Sequence, residues 1–339
     1  AYSTDGFNTV KKYDMNPILP HIAGNNRDPK VVFCEGCNAF VMALYLEKDI
    51  YAFLMSRDLL SWKLVQKLPL AGDSECPDIF SIIASDGKKK WVFMGAHNKY
   101  LVGTMTENGF NSEQEVHTLH YGSSAYAGQT FSGIPNGRIV RIDWDKWPRN
   151  NTSFCGQMSI PLELNLNLRD GIYYLSASPV KELECLFDKK QSYSGVKIEK
   201  GCSVSYKLES TPYFIRLSIN DFNETPSFTI KVFGRDLIMN PAENELKFGK
   251  ETLPLSIFKD SIDITLVIDK CSIEAFLDEG KIYESFINNN SVSDYNVPFI
   301  EISSAEDVNI DNLELISLKS ICKSFKSFIY CAACVLIGL

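Results

Sequence analysis

Short apolar runs broken by Gly, Asp and Asn turns fill this chain, and no stretch shows sustained helical periodicity. "KVVF", "AFVMALYL", "IYAFLMS", "KKWVFMGA" and "KYLVGTM" alternate with turn residues in the first half. "YFIRLSIND", "SFTIKVFG", "DITLVIDK" and "SIEAFLDEG" continue the pattern in the second. Regular short strands of this kind restrict the chain to an all-β sandwich or propeller. An internal echo narrows the choice. "STDGFNTVKK" begins at Ser3, "SRDLLSWKLVQK" at Ser56 and the fainter "TENGFNSEQ" at Thr106, spacings of 53 and 50 residues. That is about the length of one four-stranded propeller blade. We therefore expect a partial five-bladed β-propeller over residues 1–155, a linker over 156–166 and a β-sandwich over 167–318. An apolar tail of unknown role would occupy 319–339.

The charge balance argues against polyanionic partners. The formal net charge is −8, the isoelectric point is about 5.2 and no basic block stands out, so nucleic acid is not expected as a ligand. A neutral ligand such as carbohydrate fits better. The ten cysteines include two C-x-x-C pairs, Cys34/Cys37 and Cys331/Cys334. Neither has a matching pair at metal spacing, so we expect no metal or other cofactor, and thiols flanking a hairpin turn at Glu35-Gly36. The sequons at Asn150, Asn151, Asn223 and Asn289 permit a secreted location without requiring one. No signal peptide is visible, so compartment stays open. "FIYCAACVLIGL" (328–339) is too short to span a bilayer. The chain opens inside a folded pattern, which leads us to expect upstream sequence.

Two acidic stretches draw the chemistry. "NNRDPKVVF" (25–33) places Asp28 between Arg27 and Pro29, and "GDSECPDIF" (72–80) places Glu75 before Cys-Pro. Asp28 and Glu75 lie 47 residues apart, one blade length, so they can hold corresponding positions on adjacent blades. Two carboxylates are what glycosidic bond cleavage commonly needs, one to protonate the leaving oxygen and one to attack or to activate water. The plainer reading is a surface Arg27–Asp28 turn and a solvated Glu75 loop, and spacing alone does not decide between them.

These stretches resemble the Arg-Asp-Pro and Glu-Cys-Pro motifs of glycoside hydrolase family 32, the invertase, levanase and inulinase family. "SAYAGQTF" (124–131) resembles that family's Asp-Phe-Tyr-Ala-x-Gln-Thr-Phe motif. "GRIVRIDW" and "GQMSIPLEL" are similar to its propeller exit and linker, and "LVIDKCSIEAFLDEGK" (266–281) to a strand pair of its sandwich. The resemblance implies a β-fructofuranosidase-type glycosidase acting on sucrose or fructans by a retaining mechanism. It implies Glu75 as general acid/base, Asp28 as transition-state stabiliser, and Arg27, Tyr126 and Trp144 as substrate-binding residues. For Trp144, a buried place at a blade end is an equal alternative. Cys76 would pack beside Glu75; no His partner supports it as a nucleophile.

The departures matter as much. The family's nucleophile is the Asp of a Trp-Met-Asn-Asp-Pro-Asn-Gly motif, and no such motif occurs in this chain. Asp5 matches a blade-edge position and is no substitute. Ser124 and Ala125 stand where the family has Asp and Phe, and His120 replaces an Asp. We therefore expect this chain to be inactive alone, and its open propeller edges to favour self-association. A non-catalytic carbohydrate-binding relative and a fructosyltransferase remain the alternatives.

Overall fold

The computed structural model describes residues 1–122, 124–146, 155–208, 212–232, 235–248, 251–254, 261–269, 272–287 and 299–319. The sequons at Asn150, Asn151 and Asn289, the Cys331/Cys334 pair and the apolar tail lie outside them. Asn223 sits exposed on the short 3-10 turn Phe222–Glu224. No helix among the described residues is long and apolar enough to cross a membrane.

The chain is all-β, a partial five-bladed propeller followed by a sandwich, and it divides into two compact units. The first comprises Ala1–Thr118 with Asp170–Tyr173 and carries two blade sheets. One runs β1 (Arg27–Cys34), β2 (Ala39–Glu47), β3 (Ile50–Ser56) and β4 (Lys63–Pro69) as an antiparallel meander. The next runs β5 (Asp78–Ile83), β6 (Lys89–Met94), β7 (Lys99–Thr106) and β8 (Gly109–Ser112), with β9 (His117–Thr118) added beside β7. β2 is buried on both faces, as its unbroken apolar run "FVMALYL" requires. Tyr51, Phe53, Phe93 and Phe110 fill the core, with Phe53 and Phe93 meeting edge to face at 5.0 Å.

The Ser-x-Asp echo marks a recurring turn. Ser3 Oγ accepts the Phe7 N–H at 2.9 Å, and Asp5 Oδ1 accepts the Thr9 N–H at 2.9 Å. One blade later Ser56 Oγ accepts the Leu59 N–H at 2.8 Å, and Asp58 Oδ1 accepts those of Leu60 and Ser61. These backbone donors hold both carboxyls well down, at about 2. In the faint third copy Thr106 Oγ1 accepts the Asn108 N–H at 3.3 Å.

The second unit comprises Leu119–Arg169 and Tyr174–Leu339. It holds a third blade sheet of β10 (Ala125–Thr130), β11 (Ile139–Asp145), β12 (Gln157–Met158), β13 (Leu162–Arg169) and β14 (Ile172–Pro179). In β13 the sequence "LELNL" alternates cleanly, burying Leu162, Leu164 and Leu166. Arg138, at the start of "RIVRIDW", forks onto both Glu163 oxygens at 2.9 and 2.6 Å and also grips Glu182.

The sandwich strands are β15 (Phe187–Ile198), β16 (Ser203–Lys207), β17 (Tyr213–Ile219), β18 (Phe228–Val232), β19 (Arg235–Asn240), β20 (Glu245–Phe248) and β21 (Glu251–Pro254). β22 (Ile262–Ile268), β23 (Ser272–Leu277), β24 (Ile282–Ile287), β25 (Phe299–Ser304) and β26 (Val308–Leu318) complete it. One sheet has the order β15-β26-β17-β22-β23-β24 and the other β16-β25-β18-β19-β20-β21. Their inner faces bury a single cluster of Ile, Leu, Val and Phe side chains, among them Ile215, Leu217, Ile230, Ile302 and Leu313.

Truncating Phe53 to Ala should destabilise the first unit by about 3–5 kcal/mol in denaturant unfolding. Phe7→Ala, on a side chain that is 82% exposed, should change stability by less than about 0.5 kcal/mol.

Candidate active site

Two of the predicted motifs meet in the first unit. Arg27 begins β1, and the register of β1 on β2 slips between Arg27 and Lys30. That bulge turns Asp28 into the left-handed region, at φ 58°. Glu75 and Cys76, just ahead of β5, are also left-handed, at φ 60° and 35°. Backbone of this kind is costly for residues other than glycine and persists only where surrounding contacts hold it.

The contacts are identifiable. Arg27 Nη2 donates to Glu75 Oε1, and Arg27 Nη1 donates to the Asn25 carbonyl at 2.8 Å. The guanidinium stacks over the Tyr45 ring at 4.7 Å, and its Nε lies 3.6 Å from Asp28 Oδ2. Asp28 Oδ2 in turn accepts the Cys76 N–H at 3.2 Å. The Tyr51 hydroxyl donates to the Glu75 carbonyl at 3.1 Å. Arg27, Asp28 and Glu75 all keep about a third of their side chains exposed, so they are held yet open to a ligand. The hydrogen bond to Glu75, then its charge, raises the Arg27 pKa. Burial, then the Asp28 charge, pushes the Cys76 thiol up to about 12, the opposite of the lowered value that a thiolate nucleophile uses.

A supporting layer was not singled out in the sequence. Asp73, fully buried, accepts the backbone N–H groups of Ser74, His97 and Lys99 at 2.7–2.9 Å and fixes the 95–99 turn. Gly95 lies so close that a Cβ there would stand 2.4 Å from the Asp73 carboxylate and 2.7 Å from the Tyr51 hydroxyl. The only sequence signal was an Asp two residues before Glu75.

Tyr126 and Trp144 belong to the second unit. They are direct partners across β10 and β11, with ring centroids 6.2 Å apart in an edge-to-face arrangement. Lys146 Nζ stands 3.5 Å over the Tyr126 ring. Trp144 is 43% exposed, which removes the buried blade-end alternative. A bulge between Tyr126 and Gln129, with Ala127 at φ 52°, ends the platform. His120 and Ser124, where the family motif is altered, are buried and turned into a hydrogen-bonded network rather than toward solvent.

Cys34 precedes the 3-10 turn Glu35–Cys37 and Cys37 ends it, with their sulfurs 2.9 Å apart. Among the described residues no group of three or more His, Cys, Asp or Glu side chains is arranged to hold a metal ion.

Blade sheets joined to a two-sheet sandwich, with an Arg-Asp pair clamped to a Glu-Cys turn, define a propeller-type glycoside hydrolase framework. The chain belongs to glycosyl hydrolases family 32: the model of that family's N-terminal domain matches residues 1–177. It is 27% identical over 324 residues to the levanbiose-producing levanase of Bacillus subtilis (strain 168), an alignment covering 83% of this chain and 62% of that protein. With the levanbiose-producing levanase of Geobacillus stearothermophilus it shares 32% over 210 residues, covering 55% of this chain and 53% of the other. The chain thus spans less than two thirds of either relative's length. Among solved structures, the β-fructofuranosidase of Schwanniomyces occidentalis complexed with fructosyl-erythritol superposes at TM-score 0.80. That match has 18% identity and covers 94% of this chain and 75% of the other. An exo-inulinase from Aspergillus awamori superposes at 0.77, with 17% identity over 90% of this chain and 71% of the other. These likenesses show the shared fold.

Gly95→Ala should destabilise the first unit by about 1–3 kcal/mol, because the added methyl displaces Asp73 or Tyr51. Thermal or denaturant unfolding, compared with Gly36→Ala in open space, reads the difference.

Proposed function

We propose that this chain carries the acid/base half of a retaining fructosidase that cleaves terminal β-D-fructofuranosyl linkages in sucrose or fructans. The catalytic-type propeller part takes in β13 (Leu162–Arg169) and β14 (Ile172–Pro179), which pair within the third blade sheet, and the sandwich begins with β15 (Phe187–Ile198). The observation that carries this reading is the clamp from Arg27 to Glu75, with the Cys76 N–H on Asp28. It brings two carboxylates from separate blade sheets to one guanidinium.

In this reading Glu75 protonates the glycosidic oxygen as the bond to the fructosyl carbon breaks. It then takes a proton from the water that hydrolyses the covalent intermediate. Asp28 accepts hydrogen bonds from fructosyl hydroxyls and stabilises the oxocarbenium-like charge. Arg27 holds Glu75 in place and donates to the same sugar. Tyr126 and Trp144 supply ring faces for the substrate. The names of the relatives, levanase, exo-inulinase and β-fructofuranosidase, support this substrate class.

The retaining route also needs a carboxylate nucleophile about 5–5.5 Å from the acid/base. The Asn-Asp-Pro motif that supplies it in the family is not among these 339 residues. That observation favours a second reading for the chain by itself, a sugar-binding protein without turnover. The open edges of its blade sheets pair with a second copy.

The 339-residue chain should therefore show no hydrolysis of sucrose, levan or inulin above background. Turnover that disappears in Glu75→Gln would contradict this. In a polypeptide that places a nucleophile-bearing blade ahead of Ala1, Glu75→Gln should lower kcat by about 10²–10⁴-fold, with KM little changed. An unchanged kcat would remove Glu75 from the role.

A further inference from the structure

The most unusual chemistry outside the proposed active site is a buried acidic cluster in the second unit. β11 turns Arg141, Asp143 and Asp145 to one face, and all three are fully buried. β23 brings Glu274, β24 brings Tyr283, Glu284 and Ser285, and the segment before β10 brings His120 and Ser124. Among the described residues, Asp143, Asp145 and Glu274 thus share this interior with the Arg141 guanidinium.

We propose that this cluster is a proton-binding site centred on Asp145, and that the proton it holds near neutral pH keeps β11 packed on the β23–β24 hairpin. Arg141 Nε donates to Asp143 Oδ1 at 2.8 Å. His120 adds no charge. Its Nδ1–H donates to the Gly122 carbonyl at 2.9 Å, leaving Nε2 to accept the Ser285 N–H at 3.0 Å, and burial drives its pKa down to about 3. Asp145 Oδ1 accepts from the Ser285 hydroxyl at 2.6 Å. Asp145 Oδ2 is buried with no hydrogen-bond partner among the described residues. Glu274 accepts the Ile160 N–H at 2.9 Å and the Tyr283 hydroxyl at 3.2 Å.

Ionising every member would bury like charges side by side in low dielectric, an arrangement that proteins avoid by keeping a proton. Burial, helped by the Asp143 charge and opposed by hydrogen bonds from Ser285 and Ser124, raises the Asp145 pKa to about 7. Burial, then Asp145, raises that of Glu274 well above its ordinary value. The Asp145 and Glu274 carboxyls therefore titrate as a pair.

The direction of the pH effect follows. Below 3.8, the ordinary Asp value, folded and unfolded states both carry the proton and the site costs nothing. As pH rises from there to about 7 the unfolded chain releases the Asp145 proton first, so folded stability falls; above about 7 Asp145 adds no further loss.

The test uses the full chain. Infrared spectra in heavy water should show a protonated carboxylic acid band at about pH 5.5 that shrinks by about pH 8.5, and Asp145→Asn should abolish the change. The wild-type Tm should fall by several degrees over the same range, and Asp145→Asn should flatten that fall. Absence of any pH-dependent acid band in the folded wild type would overturn the proposal, whether or not the variant folds. So would a folded Asp145→Asn protein that keeps the wild-type slope.

Discussion

One guanidinium joins the two blade sheets of the first unit. Arg27 leaves β1 at a bulge, stacks on Tyr45 of its own sheet and reaches Glu75 at the entrance to the next. The left-handed backbone at Asp28, Glu75 and Cys76 costs on the order of 1–3 kcal/mol per residue and is sustained by those contacts. Tyr51, Asp73 and Gly95 brace the Glu75 turn from beneath. An Arg→Lys exchange would keep the charge and lose the planar fork that meets Glu75, the Asn25 carbonyl and the Tyr45 ring together.

The second unit resolves its polar burden differently. Its aromatic pair, Tyr126 and Trp144, faces outward, while the intervening residues of β11 face a buried network. Gly128 belongs to that network by omission: a Cβ there would stand 1.7 Å from Asp143 Oδ1. The positions where the family motif is altered, His120 and Ser124, both bond Ser285, which in turn holds Asp145.

Much of this was legible in the sequence. Strand runs and the Ser-x-Asp echo announced the blade sheets, because a Ser and an Asp two apart are the residues that satisfy the N–H groups of one recurring turn. The candidate carboxylates were legible as motifs. Their partnership was not: Arg27 sits beside Asp28 in sequence, yet its strongest contact is Glu75, 48 residues away. Local spacing does not report such a pairing, since it depends on how two sheets meet. The acidic cluster was hidden for the same reason, with Asp145 and Ser285 140 residues apart. Trp144 showed no periodicity that separates an exposed platform from a blade-end core.

The central claim is that Glu75 is the proton donor held by Arg27. It is tested most directly by chemical rescue in a polypeptide that includes a nucleophile-bearing blade. With Glu75→Ala and a fructoside whose leaving group needs no protonation, azide should accelerate turnover and yield a fructosyl azide of retained configuration. A small anion can then enter the space left by the carboxylate and attack the covalent intermediate. If azide neither accelerates the Glu75→Ala protein nor appears in its product, while Asp28→Ala responds instead, the proton donor is not Glu75.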